Sequence, residues 1–108
     1  RYADILLMAA EALNQSGDDA TALTYLNLVR SRVGLFQKTS SGTVLYEDIL
    51  NERRSELSCE GHRFFDLVRT GKAAIEITNF VTGKHELFPI PQDEIDLAGG
   101  NWSQNPGY

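Results

Sequence analysis

From Tyr2 to Gln15, apolar residues recur at three- and four-residue spacing, with Tyr2, Ile5, Leu6, Ala9, Ala12 and Leu13 in phase, and the stretch is rich in good helix formers. A first helix is predicted there. Gly17 and Asp18 break the phase and offer a stop and a cap, after which Ala22, Leu23, Leu26 and Val29 resume it until Gly34 supplies a second stop. So short a connection makes the two helices antiparallel neighbours, and Ala9, Ala10, Ala12, Ala20 and Ala22 let them approach closely. Phe36 to Thr43 is polar and reads as a surface loop, with Thr43 a candidate cap. A third helix is expected from about Val44 to Glu60, stopped by Gly61, and a fourth from His62 to Val68, closed by Thr70-Gly71. Lys72 to Phe80 reads as helical, although Ile75, Ile77 and Thr78 are β-branched. Val81 to Lys84 turns on Gly83, and His85 to Pro91 is expected to be extended because residues before proline avoid the helical region. Pro91 suits the start of a short helical turn over Gln92 to Ile95, and Ala98 to Tyr108 is a Gly/Asn/Pro-rich tail.

The fold class is therefore all-α, and the first hairpin has more specific content. Leu6, Ala10, Leu13, Gly17-Asp18, Ala22, Tyr25 and Leu26 follow the spacing of a tetratricopeptide repeat, a helix-turn-helix unit of about 34 residues. The architecture expected is tetratricopeptide-like helical hairpins with an irregular C-terminal tail. Only one copy of the repeat is visible. An isolated repeat cannot bury its outer face, so neighbouring helices are expected to cover it, some of them outside residues 1–108.

Composition narrows this picture. At 108 residues the chain is one domain or part of one. Its 42% hydrophobic and 23% charged residues are ordinary for a globular chain, without the apolar run of ~20 residues that a membrane span needs. A net charge of -5 leaves no basic stripe for a phosphate backbone, which argues against nucleic acid as a partner. The single Cys59 cannot form an internal disulfide. Leu57-Ser58-Cys59 echoes a lipid-attachment box, but it follows Glu52, Arg53 and Arg54 rather than an apolar signal segment, so that reading fails. The abrupt start at Arg1-Tyr2-Ala3 is that expected of a fragment.

The candidate chemistry lies in Asn51 to Arg69, NERRSELSCEGHRFFDLVR. On a helical wheel at ~100° per residue, Leu45, Tyr46, Ile49, Leu50 and Leu57 fall within an arc of about 140°. Arg53, Glu56 and Glu60 share that arc, whereas Asp48, Asn51, Glu52, Arg54, Ser55 and Ser58 are expected on the solvated side. Charges on a buried face need partners, because one left unpaired costs several kcal/mol. Arg30, Arg32, Arg63, Asp66 and Arg69 are the candidates. The expectation is a structural ion cluster of Arg53, Glu56, Glu60, Arg63 and Asp66, with Gly61 letting Arg63 fold back toward Glu56 or Glu60. A metal or catalytic carboxylate site fits less well. Glu60 and His62 are two apart and straddle a glycine, whereas a di-iron helix presents Glu-x-x-His. Glycoside hydrolysis needs a carboxyl that keeps its proton, which an arginine-rich neighbourhood disfavours. Trp102 is the candidate ligand contact, since an indole stacks on a sugar, although large aromatics more often fill cores. His85 reads as a surface residue and Cys59 as a helix-edge residue.

Taken in order, RYADILLMAAEALNQ, YLNLVRSRVGL, ILNERRSELSCEGHRFFDLVRTGKA, LFPIPQDEID and the terminal QNPGY resemble the C-terminal part of the SusD/RagB family, nutrient-binding lipoproteins of the outer surface of Bacteroidetes. The resemblance spans essentially the whole chain. It implies a mostly helical fold with tetratricopeptide-like pairs, no enzymatic activity and no cofactor. It also implies that the full protein binds glycans or other nutrients and is held at the outer membrane by an N-terminal lipid. Its implied partner there is a SusC-like TonB-dependent transporter. Members of the family are several times longer, so residues 1–108 are expected to be the last part, without the lipidated cysteine and most of the ligand-binding half. The match falls on Glu52, Arg53, Glu56, Leu57, Glu60, Gly61, Arg63, Asp66 and Leu67, and on Pro89, Pro91, Gln104, Asn105, Pro106 and Gly107, which the resemblance implies are structural. The departures are a LFPIP segment that follows Phe80 quickly and AGGNW in place of an Asn-rich approach to the tail. The alternative is a helical repeat scaffold that binds a protein through its hairpin, and an enzyme ranks third.

Overall fold

A computed structural model describes residues 1–108, which form six helices and no strand. These are α1 (Tyr2–Gln15), α2 (Asp19–Arg32), α3 (Gly42–Glu56), α4 (His62–Arg69), α5 (Ala73–Glu76) and α6 (Gln92–Leu97). The chain divides into two compact units, Arg1–Arg63 and Phe64–Tyr108.

In the first unit the α1–α2 hairpin is set by its turn. Gly17 adopts φ +91°, its N–H bonds to the Asn14 carbonyl and that of Asp18 to the Leu13 carbonyl, which satisfies the last carbonyls of α1. The Asp18 carboxylate then accepts the Thr21 N–H at 3.1 Å and caps α2. Gly34, at φ +74°, closes α2 in the same way, with the Leu35 N–H returning to Arg30. α3 packs across the hairpin, and Leu7, Ala10, Ala22, Leu26, Val29, Leu45 and Ile49 form one buried core.

Three sequence expectations need correction in this unit. The buried face of α1 is carried by Leu7 and Ala10 with Ala3, Leu6 and Leu13, whereas Tyr2, Ile5 and Ala12 are exposed. α1 is apolar around most of its middle, so spacing alone did not fix its rotation. The repeat template did better, since Leu6, Ala10, Leu13, Ala22, Tyr25 and Leu26 all lie in or against the core. Second, α3 starts at Gly42 behind Ser41 rather than at a Thr43 cap. It is anchored there by Asp19, which accepts the Gly42 N–H, and by Asn14, which donates to the Gly42 carbonyl at 3.0 Å and to Asp19 at 2.7 Å. Third, α3 ends at Glu56 rather than Glu60, because the chain tightens into turns and Cys59 takes φ +65° before Gly61 is reached.

The second unit buries much less. Only Leu67 and Ala73 are buried, while Phe65, Ile75, Phe88 and Leu97 are largely exposed. α5 stops at Glu76 instead of reaching Phe80, as β-branched Ile75, Ile77 and Thr78 disfavour the helix, and Asn79 adopts φ +64°. The turn expected at Val81–Lys84 continues through Leu87, so only Phe88 to Ile90 runs extended before Pro91 opens α6. Extension is confined to the neighbourhood of Pro89 and Pro91, where it is enforced.

Tail and extended segment are stitched together by side chains. The Gln104 amide accepts the Ile90 N–H and donates to the Ile90 carbonyl, both at 2.8 Å, which substitutes one side chain for a neighbouring strand. Asn105 donates to the Phe88 carbonyl at 2.7 Å, and the Tyr108 hydroxyl to the Leu87 carbonyl at 3.0 Å. Lys84 lies over the Tyr108 ring, 4.7 Å from its centre.

Candidate functional site

The charged corner forms where the start of α1 and the ends of α2 and α3 meet. Arg53 is 4% exposed and donates to Asp4 at 2.7 Å. Glu52, 7% exposed, pairs with Arg30, whose Nε also donates to the Phe36 carbonyl at 2.9 Å. Glu56 accepts Arg32 at 2.7 Å and Arg1 at 3.3 Å, and Arg1 also holds Glu60 at 2.6 Å. No buried side-chain nitrogen or oxygen lacks a partner.

The placement of Glu52 and Glu60 reverses the wheel. Glu52, expected on the solvated side, is buried because α2 as well as α1 covers α3, which widens its buried arc. Glu60 is exposed because α3 has already ended. Arg53 and Glu56 lie where the wheel put them, with Glu56 partly buried. Arg63 is half-buried near the start of α4. Asp66 is engaged by Arg69 at 2.8 Å within α4, in the second unit. Sequence reasoning missed Arg1 and Asp4. The available signal was Asp4, an acidic residue in the first turn of a helix that is otherwise mostly apolar.

A second charged group ties down the loop before α3. Asp48 accepts Lys38 at 2.8 Å and Ser40 at 2.6 Å. Partial burial pushes its carboxyl upward, but the hydrogen bonds from Lys38 and Ser40 and the nearby charges of Lys38 and Arg30 outweigh this and hold it below its ordinary value of 3.8. Asn27 fixes the same loop by accepting the Lys38 N–H at 2.8 Å and donating to its carbonyl at 3.0 Å.

Two concavities accompany these groups. One, of about 520 Å³, has apolar walls from Tyr2, Ala3, Leu6, Leu28 and Val29 and a rim of Arg1, Arg32 and Glu56. The other, about 420 Å³ and within the second unit, gathers Phe64, Phe80, His85, Phe88 and Tyr108. Its rings contact one another, with Phe64 and Phe88 centred 5.7 Å apart and Phe80 edge-on to His85 at 5.6 Å. Trp102 lines neither and is 55% exposed on the tail. No three His, Cys, Asp or Glu side chains converge in metal-binding geometry. The corner's acidic groups, Asp4, Glu52, Glu56 and Glu60, are each paired with an arginine.

Comparison with known families decides the lineage, since the model of the SusD family matches residues 1–85. The chain belongs to the SusD family. A SusD-like protein of Formosa agariphila is 43% identical over 106 residues, covering 88% of this chain and 20% of that protein. The starch-binding protein SusD of Bacteroides thetaiotaomicron is 32% identical over 119 residues, covering 100% of this chain and 21% of that protein. In three dimensions the chain superposes on the crystal structure of a SusD homologue from Bacteroides thetaiotaomicron with a TM-score of 0.89 at 35% identity, over 98% of this chain and 24% of that one. The chain therefore spans roughly a fifth to a quarter of these SusD relatives' length. The charged corner lies within the family-model match, whereas Pro89, Pro91 and the QNPGY tail lie beyond it and are reached by the alignment that covers the whole chain.

Proposed function

We propose that this chain is a structural C-terminal part of a nutrient-binding protein of the bacterial cell surface. In this reading the full protein binds a glycan as the lipid-anchored partner of a SusC-like TonB-dependent transporter in the outer membrane. The observation that carries the reading is SusD-family membership along the chain, with a starch-binding protein among its relatives. In this reading Arg53, Glu56, Glu60, Arg63 and Asp66 are structural residues, supported by the pairing of Arg53 with Asp4, of Glu56 with Arg32 and Arg1, of Glu60 with Arg1 and of Asp66 with Arg69. A catalytic role gains no support from carboxylates neutralised by arginine. Trp102, an indole about half open to solvent, is the candidate sugar contact in this part.

The test is binding of the full-length protein to a panel of polysaccharides by affinity electrophoresis and titration calorimetry, with co-purification of the transporter encoded beside it. Retention by at least one glycan class together with the transporter is the expected result, and no retention by any nutrient class overturns it. The scaffold reading draws on a different observation, the exposed Tyr2, Ile5 and Met8 along α1. Further repeats at a period of about 34 residues in the adjoining sequence, without a lipid-attachment signal, would favour it.

A further inference from the structure

We infer that Gln104–Tyr108 is a strap that opens and closes as one unit and, when shut, builds a wall of the aromatic cleft in the second unit. The shut state is held mainly by side chains. The Gln104 amide oxygen accepts two N–H groups, that of Ile90 at 2.8 Å and that of Asn105 at 2.9 Å, so one atom joins the extended segment to the strap. Asn105 and Tyr108 continue along the same segment to the Phe88 and Leu87 carbonyls. Gly107, at φ +86°, passes so close to Lys84 that a Cβ there would lie 3.0 Å from its side chain, which seats Tyr108 beneath the Lys84 ammonium. Tyr108 then lines the cleft together with Phe64, Phe80 and Phe88.

Nothing buried retains the strap. Gln104 and Asn105 are only half-buried, and Pro106, Gly107 and Tyr108 are exposed. A segment held by part-buried and exposed hydrogen bonds, without core side chains, has a low free energy of local opening. Pro89 and Pro91 contribute no N–H, so the extended segment offers few backbone bonds of its own. Gln104, Asn105 and Tyr108 hold three nearby residues of one short stretch, Ile90, Phe88 and Leu87, so release at one contact draws the next away from its partner. The strap therefore opens all at once, beneath the unfolding of the helices.

The test is hydrogen exchange of the full-length protein, comparing the amides of Ile90, Asn105 and Tyr108 with those of α1–α3. In the native protein the three are expected to share one protection factor, lower than that of the helix core. Gln104→Ala is expected to accelerate the Tyr108 amide at least tenfold, although that amide bonds to Asn105 and not to Gln104. Tyr108→Phe, which removes only the hydroxyl, is expected to accelerate Ile90 severalfold. It serves as the second readout should Gln104→Ala fail to fold. Protection equal to that of the helix core, or acceleration confined to the amides that lost their own acceptor, overturns the strap.

Discussion

Residues 1–63 and 64–108 solve the problem of holding a chain together in different ways. The first unit surrounds a continuous apolar core and places its buried charges against partners, so its backbone is fixed by burial and its corner by arginine. The second has two buried apolar residues and relies on rings in contact and on amide side chains bonded to backbone. Burial gives a stability that solvent cannot compete away, whereas exposed hydrogen bonds trade with water and leave a modest net gain of about 1 kcal/mol each.

The contrast can be broken at its strongest point. Arg53→Ala leaves Asp4 without the guanidinium seen at 2.7 Å and is expected to cost about 3–5 kcal/mol, comparable with about 2–5 kcal/mol for Ile49→Ala in the core. Denaturation of the full-length protein, with exchange of the α1–α3 amides as local readout, checks both. Changes under about 1 kcal/mol would mean that the corner is not fixed by pairing. Glu56→Ala is expected to cost less, about 1–2 kcal/mol, and its effect should shrink in high salt, because Arg1 and Arg32 are about half exposed. Asn27→Ala and Gln104→Ala each remove a pair of hydrogen bonds to the N–H and carbonyl of one residue, one pair from each unit. Each is expected to cost about 1–2 kcal/mol, with the damage spreading through the tail only in the second.

An acid effect sharpens the comparison further. The Asp48 carboxyl is held below its ordinary value in the folded chain, so its contribution is complete above pH 3.8 and is lost as pH falls through the lowered folded value. The first unit should therefore lose stability on acidification below about pH 4, and Asp48→Asn should flatten that loss in a pH series of denaturation curves. The smallest effect belongs to Trp102→Ala, expected within about 0.5 kcal/mol of the parent because the ring is exposed. A measurable loss of glycan affinity from this variant would mark Trp102 as a contact, and unchanged affinity would remove it.

Much of the first unit was legible because its signals are local. The Gly17-Asp18 and Gly34 stops, the phase of α2 and the repeat spacing each follow from a few neighbouring residues. The rotation of α1 was not, since Ile5 to Ala10 is unbroken apolar sequence and the choice of face comes from α3 and the Asp4–Arg53 pair, 49 positions apart in sequence. The corner was legible as a cluster but not in its pairings, because a wheel treats one helix and cannot see that α2 covers Glu52. In the second unit the prolines predicted extension, yet nothing local announced that Gln104 would serve as a strand for Ile90. That contact depends on a turn and a helix lying between them.

The turn at Gly17 also bears on the order in which the first unit assembles. Closing the α1–α2 hairpin requires only the short turn Ser16–Asp18 and gives contacts close in sequence, so it is the cheapest structure for the chain to reach. Docking α3 must first close Val33–Ser41; Asn27, which pins that loop, and Asn14 and Asp19, which hold the first residue of α3, sit on the hairpin, and Asp48 of α3 adds its hold on Lys38 and Ser40. A hairpin formed early would serve as a template for the third helix, so Gly17→Val, strained at φ +91°, is expected to slow refolding in a stopped-flow measurement.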